Sequence, residues 1–494
     1  MSEAKYDLVV IGSGPAGQRA AIQASKLGKK AAVIERKAVV GGVCINLGTI
    51  PSKTVREAAL HLSGYHEKSL YGASYTVKKN ITMEDLLFRT EHVVKHELDV
   101  FRHQLIRNDV DLINANCWFL DSHTIMADYV DGSGGRKIHA KKIIIATGTT
   151  ATKSDAIPFD GQDVFTSDDI MQMKDIPKTL AVVGAGVIGC EYASIFAALG
   201  VRITLIDKRS SLLPFIDHEI ADTLAYHLRQ ERVTLRLGEE VSGVELQKNG
   251  NGDQVKINLS SGKKIVADAT LYSIGRTGNT DSLNLEVAGL VADERGRISV
   301  NEFFQTTCPD IYAVGDVIGF PSLASTSMEQ GRIAAYNAFG KKRNSKTMTE
   351  FFPYGIYTIP EISYVGKTEE ELTESGVPYE IGKASYKEIA RGQIIGDDLG
   401  LLKIIFHLET HDILGVHIIG EGASMMVHIG QAVMALGGKI EYFIENIFNY
   451  PTLAECYKTA AFDGINRLHG LEEFEEKNDQ ESELAKVGHS EDES

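Results

Sequence analysis

The run Tyr6-Asp-Leu-Val-Val-Ile11 is apolar except at one position and predicts a short buried strand of a parallel sheet. It passes directly into Gly12-Ser-Gly14-Pro-Ala-Gly17. The next stretch reads as a helix ending near Gly28, and a second apolar strand closes on Glu35. The same succession returns at Leu180-Ala-Val-Val183, Gly184-Ala-Gly186-Val-Ile-Gly189, Gly200 and Asp207. The landmarks repeat at one constant offset of 172 residues, as in 184 − 12, 200 − 28 and 207 − 35. Other apolar runs, such as Lys142-Ile-Ile-Ile-Ala146, are short and followed by glycine. None approaches the ~20 residues needed to cross a bilayer.

A Gly-x-Gly-x-x-Gly motif alone is a weak signal. Set between a strand and a helix, with an acid about 20 residues on, it marks a dinucleotide site. The first two glycines allow a tight turn and close approach of a pyrophosphate; the third lets helix and strand pack together. The helix N-terminus offers N–H donors and positive dipole to the phosphates. The chain is therefore expected to be an α/β protein with two Rossmann-like units, each binding one dinucleotide. The candidate residues are Gly12, Gly14, Gly17 and Glu35 in the first unit, and Gly184, Gly186, Gly189 and Asp207 in the second.

Composition narrows this further. At 494 residues the chain should hold about three domains, and 43% hydrophobic with 24% charged residues describes a globular protein. A net charge of −16 argues against a nucleic-acid surface. The acid excess is concentrated in Leu471–Ser494, where ten acidic residues face Lys477 and Lys486. That stretch is expected to be a disordered solubilising tail. Cys44, Cys117, Cys190, Cys308 and Cys456 form no Cys-x-x-Cys pair, which fits a reducing compartment and no metal site. No basic and apolar signal pattern precedes the first strand, so a cytoplasmic protein is expected.

Beyond Glu35 the chain continues Arg36-Lys-Ala-Val-Val-Gly41-Gly42-Val-Cys44-Ile-Asn-Leu-Gly48-Thr49-Ile-Pro51-Ser-Lys53. This resembles the flavoprotein disulfide reductases, whose signature is Gly-Gly-x-Cys-x-x-x-Gly-Cys-x-Pro-Ser-Lys. The resemblance continues through Ala146-Thr147-Gly148, Gly275-Arg276 and Thr307-Cys-Pro-Asp-Ile-Tyr-Ala-Val-Gly315-Asp316. It implies a glutathione-reductase-like fold, with FAD in the first unit and NAD or NADP in the second. The implied organisation is an FAD-binding segment at 1–150, an NAD(P)-binding domain at 151–276 and a second FAD-binding or central segment at 277–345. An α+β dimerisation domain at 346–470 and the acidic tail at 471–494 follow. Arg36, Gly41, Gly42, Cys44, Thr49, Lys53, Thr147, Gly148, Gly275, Gly315 and Asp316 join the candidate cofactor residues. Asp316 is implied to bond the flavin ribityl chain, and Lys53 and Glu191 to pair near the flavin as the catalytic residues.

Two departures from the signature alter the expected chemistry. Disulfide reductases pass electrons out through two thiols five residues apart, by thiolate exchange. Here the first position is Cys44 and the second is Thr49, which forms no disulfide. Cys190 adjoins Glu191, but adjacent helical residues point about 100° apart, so it is not expected to take over. The family's C-terminal His-Pro-Thr-x-x-Glu becomes Tyr450-Pro451-Thr452-Leu-Ala-Glu455. A phenol with a pKa near ~10 is a poor proton shuttle at neutral pH.

This combination resembles the soluble pyridine nucleotide transhydrogenases, which run NADPH + NAD⁺ ⇌ NADP⁺ + NADH. One nicotinamide unit per chain implies ping-pong alternation of the two nucleotides through FAD. Asp207 suits the ribose hydroxyls of NAD, whereas Lys208 and Arg209 suit the 2′-phosphate of NADP. The expected partners are NAD(H) and NADP(H) as substrates and a second copy of the chain, as a homodimer or higher homo-oligomer, with no nucleic acid or membrane. Two alternatives stay open on these residues. One is an NAD(P)H-dependent reductase of a quinone or other small acceptor, and the other is a non-catalytic flavoprotein docking through its acidic tail.

Overall fold

A computed structural model describes residues 4–72, 74–75, 77–249, 252–343, 351–468 and 470. The expected acidic tail, 471–494, lies outside them. Two compact units divide the chain. The first comprises Met1–Tyr65, Thr76–Ser210 and Glu231–Glu350, and the second His66–Tyr75, Ser211–Gln230 and Phe351–Ser494.

Two parallel sheets make up most of the first unit. In one, Ala4–Ile11 lies between Ala31–Glu35 and Gly135–Ile145 and runs parallel to both. Asp111–Phe119 and Ile311–Ala313 extend it in parallel on either side. Thr124–Tyr129 pairs antiparallel with both Asp111–Phe119 and Gly135–Ile145. Leu8, Val9 and Val10 are fully buried, as expected of a central strand covered on both faces.

The second sheet runs Thr234–Leu237, Arg202–Asp207, Thr179–Val183, Ala269–Tyr272, Val164–Thr166, all parallel. The two halves of the repeat thus supply the same strand–helix–strand crossover, with helices Pro15–Lys26 and Val187–Ala198. A two-stranded antiparallel ribbon, Thr149–Ala151 with Arg276–Gly278, joins the entry and exit of the inserted nucleotide segment.

The second unit is built on an antiparallel sheet ordered Tyr354–Ile356, Ile362–Gly366, Ile413–Ile419, Leu401–His407, Tyr379–Ser385. Helix Ala423–Ala435 contributes Met426, Val427 and Met434 to its core. Ser211–Gln230 falls within the expected 151–276 span yet belongs to this unit. The reason is a buried charge cluster. Lys403, on a central strand, donates to both carboxylate oxygens of Asp217 at 2.9 Å and pairs with Glu369 and Glu219. Removing one member of so buried a cluster strands its countercharges, so the segment is held where the lysine is.

Candidate active site

The six motif glycines repeat not only in sequence but in contact. Gly12 and Gly184 have φ of +103° and +104°. A Cβ on them would lie 2.4 Å from the Ala146 carbonyl oxygen and 2.6 Å from that of Ser273, so both the turn and the approach require glycine. A Cβ on Gly17 or Gly189 would stand 2.0 or 1.8 Å from the carbonyl oxygen of Gly12 or Gly184. The middle glycines differ. Nothing lies within 4 Å of a Cβ on Gly14, and only an Arg209 Nη2 at 4.0 Å faces one on Gly186. Neither helix that follows carries a side-chain cap. Their first N–H groups thus point toward the open side of each middle glycine.

Each strand-end acid turns back to brace its own glycine turn. Glu35 Oε2 accepts from the Ser13 N–H at 3.0 Å and the Ser13 hydroxyl at 2.6 Å, while Oε1 accepts from the Lys37 N–H at 2.9 Å. At the equivalent place Asp207 Oδ2 accepts from the Ala185 N–H at 2.6 Å. Asp207 Oδ1 accepts from the Arg209 N–H at 2.8 Å. Arg209 also forks onto the carboxylate, Nε to Oδ1 at 2.9 Å and Nη2 to Oδ2 at 2.6 Å. Burial pushes the Asp207 carboxyl up, but these donors outweigh it and hold it below the usual carboxylate range.

A cleft opens at the first glycine turn. Among the candidate residues it gathers Gly12, Gly14, Glu35, Arg36, Gly42, Cys44, Thr49, Thr147, Gly148, Gly315 and Asp316. Gly17, Gly41 and Lys53 are not part of its lining, nor are Glu191 and the candidates of the second nucleotide unit. The FAD implied by the resemblance fits this lining. Gly14 leaves open space where a pyrophosphate would approach. Thr147 Oγ1 is buried with no hydrogen-bond partner among the described residues, as expected of a group awaiting a ligand.

Cys44 and Thr49 line the same cleft. Burial pushes the Cys44 thiol up; the Thr49 hydroxyl and the Lys53 ammonium pull it back, and Asp316 pushes it further. The group remains a thiol at neutral pH. Cys190 is wholly buried, its Sγ directed at the Ala185 carbonyl at 3.5 Å, and burial pushes it up too. All five cysteines are free.

Lys53 Nζ donates to Glu191 Oε2 at 2.7 Å, with side chains 26% and 6% exposed. The lysine rides on Thr49–Ser63 and the glutamate on Val187–Ala198, so this pair links the helix after Thr49 to the helix of the second glycine turn. Tyr450 lies in the second unit and is 74% exposed.

Three residues that line the cleft or bond to its lining were not among the candidate site residues. Asn279 donates to the Thr147 carbonyl at 3.1 Å, and Gln330 Oε1 accepts from the Gly315 N–H at 2.7 Å. Arg276 follows the expected Gly275 and ties three elements together. It donates to Thr149 Oγ1 at 2.8 Å, the Thr149 carbonyl at 2.9 Å, Ser167 at 3.2 Å and Asp168 at 2.7 Å. Asp316 lines the cleft with Thr149, and burial pushes its carboxyl up. The carboxylates of Asp217, Glu219 and Glu369 stand close enough to hold a cation, and the Lys403 ammonium fills that role. No helix among the described residues is long and apolar enough to cross a membrane.

Comparison with known proteins places this geometry among relatives. The pyridine nucleotide-disulphide oxidoreductase model matches residues 6–331, and the dimerisation domain of the same family matches 352–461. A soluble pyridine nucleotide transhydrogenase of Mycobacterium bovis is 53% identical over 95% of this chain and 99% of its own length. One from Colwellia psychrerythraea is 47% identical, with 94% and 98% coverage. The HOCl-induced flavoprotein disulfide reductase RclA of Escherichia coli superposes with a TM-score of 0.82 at 29% identity, covering 92% of this chain and 99% of that one. LpdA of Mycobacterium tuberculosis shares the fold, with a TM-score of 0.83 over 93% of this chain and 99% of its own.

Proposed function

The chain belongs to the pyridine nucleotide-disulphide oxidoreductase family, and on that premise we propose that it is an FAD-dependent NAD(P)⁺ transhydrogenase running NADPH + NAD⁺ ⇌ NADP⁺ + NADH. Relatives of that name at 46–53% identity support it over a quinone reductase. The observation that carries the reading is the Thr49 hydroxyl lining the same cleft as Cys44, at the position where a disulfide reductase needs a second thiol. Bound FAD supplies a two-electron carrier able to take a hydride from one nicotinamide and give it to another.

The protein's own groups bind, orient and polarise. Gly12, Gly14 and Gly17, with Glu35, Arg36, Gly41, Gly42, Thr147, Gly148, Gly315 and Asp316, would hold the flavin nucleotide. Gly184, Gly186, Gly189 and Gly275, with Asp207, Lys208 and Arg209, would hold the nicotinamide nucleotide. Lys53, oriented by Glu191, would place positive charge beside the flavin, favouring its reduced anionic form. Cys44 has no redox partner and serves to pack. The two substrates differ only in a 2′-phosphate far from the reacting ring, so their concentrations set the direction.

The matched dimerisation domain supports a homodimer. We place the enzyme in the cytoplasm, where five free thiols persist and both nucleotide pools are at hand.

Anaerobic titration of the holoenzyme tests the function. NADPH should bleach the flavin and NAD⁺ should restore its colour; bleaching without restoration would leave the reductase reading in its place. Cys44→Ser should keep nucleotide-to-nucleotide turnover at the same order of magnitude, measured with thio-NAD⁺. Complete loss with FAD still bound would give Cys44 a chemical role that this reading denies it.

A further inference from the structure

The two nucleotide units differ at one point of chemistry. A carboxylate offers about four acceptor sites. Glu35 uses three, for Ser13 N–H, Ser13 O–H and Lys37 N–H, and keeps one on Oε1 for a ribose hydroxyl. Asp207 uses all four, for the N–H groups of Ala185 and Arg209 and for Nε and Nη2 of Arg209. As it stands Asp207 has no acceptor left for a ribose diol, and Arg209 has turned its fork inward rather than toward a phosphate. The fork stands beside Gly186, at the mouth of the turn where a nucleotide would enter.

We propose that Arg209 and Asp207 form a displaceable latch that both nucleotides must open, and that this shared step is what lets one site accept NAD(H) and NADP(H) alike. The inference rests on the transhydrogenase reading and names how its nucleotide site tolerates two substrates. For NAD(H), Arg209 releases the carboxylate, and the 2′- and 3′-hydroxyls take over its acceptor sites. For NADP(H), the same release turns the guanidinium onto the 2′-phosphate, which a planar fork grips bidentately. In that state the Ala185 and Arg209 N–H groups still bond Asp207 and damp its repulsion of the phosphate.

The latch can open without unpacking the core. The Arg209 side chain is 43% exposed, so water solvates its guanidinium as it swings out, and the incoming hydroxyls or phosphate replace the contacts given up. The Asp207 side chain is 6% exposed and braced by backbone, so it stays in place while the arginine moves. Both substrates meet the same opening cost, which therefore cancels from their ratio. A fixed arginine would favour NADP(H), and a fixed free aspartate would favour NAD(H).

The latch makes a prediction that a plain phosphate-binding arginine does not. In Arg209→Ala the carboxylate is freed, so NAD⁺ should bind about threefold more tightly, while NADP⁺ weakens about tenfold or more through loss of a charge-assisted contact. In Asp207→Asn the amide keeps an acceptor for the Ala185 N–H but loses its hold on Arg209. NADP⁺ should then tighten and NAD⁺ weaken. The measurement is calorimetric titration of NAD⁺ and NADP⁺ into the oxidised full-length holoenzyme and each variant. If Arg209→Ala leaves NAD⁺ unchanged or weaker, or if Asp207→Asn fails to tighten NADP⁺, the latch is overturned. Failure of the transhydrogenase reading shows separately, as wild-type flavin that neither NADH nor NADPH bleaches although both nucleotides bind.

Discussion

Gly189→Ala is expected to leave FAD bound and to reduce the rate of flavin bleaching by NADH and NADPH alike, by at least ~10²-fold. The added methyl would sit 1.8 Å from the Gly184 carbonyl oxygen, far inside van der Waals contact. The atom it meets is backbone, so no side-chain rotation relieves the clash. Either the helix Val187–Ala198 shifts by more than 1 Å or the Gly184 turn does, and in both cases the phosphate seat moves with it. The same helix carries Glu191, so its displacement also disturbs Lys53. Because the clash lies in the second glycine turn, the first turn, Gly12–Gly17, which we assign to the flavin nucleotide, is untouched. Stopped-flow bleaching together with the flavin-to-protein absorbance ratio reads both effects. Wild-type bleaching rates in this variant would remove the second glycine turn from the nucleotide site.

Lys53→Met is expected to slow flavin reduction about 10²–10³-fold at unchanged flavin content, the usual cost of deleting a preorganised charge at a reacting centre. Part of any loss could come from structure instead. Glu191 is buried and would lose its 2.7 Å ammonium, which lowers stability. The double variant Lys53→Met/Glu191→Gln separates the two effects. It should recover the melting temperature while leaving reduction slow. Recovery of the rate along with the stability would make the pair a structural tie between helices rather than a catalytic one.

How far the residues alone carried the reading differs from site to site. The Gly12 and Gly184 turns were legible because a carbonyl oxygen in the place of a Cβ admits glycine only, and such a constraint leaves the same letter at the same spacing twice. Thr49 was legible for the opposite reason. A single oxygen where sulfur is needed closes a whole class of chemistry, whatever surrounds it. Arg276, Asn279 and Gln330 were not legible as site residues, because each acts through hydrogen bonds to backbone or side chains far away in sequence. Arg276 reaches Thr149 across 127 positions.

The placement of Ser211–Gln230 was hidden for a similar reason. In sequence it continues the nucleotide domain, and contacts to distant residues, among them the buried Lys403, assign it to the other unit.

The sequence by itself determined the two dinucleotide turns, the order of the segments and the loss of the thiol pair. These depend on steric and chemical needs met within a few residues. Only the tertiary structure decided the pairing state of Asp207. Whether a carboxylate has an acceptor to spare depends on which donors the fold brings to it and how they turn. A string reading Asp207-Lys208-Arg209 is equally compatible with an open acid and with one closed by its own neighbour.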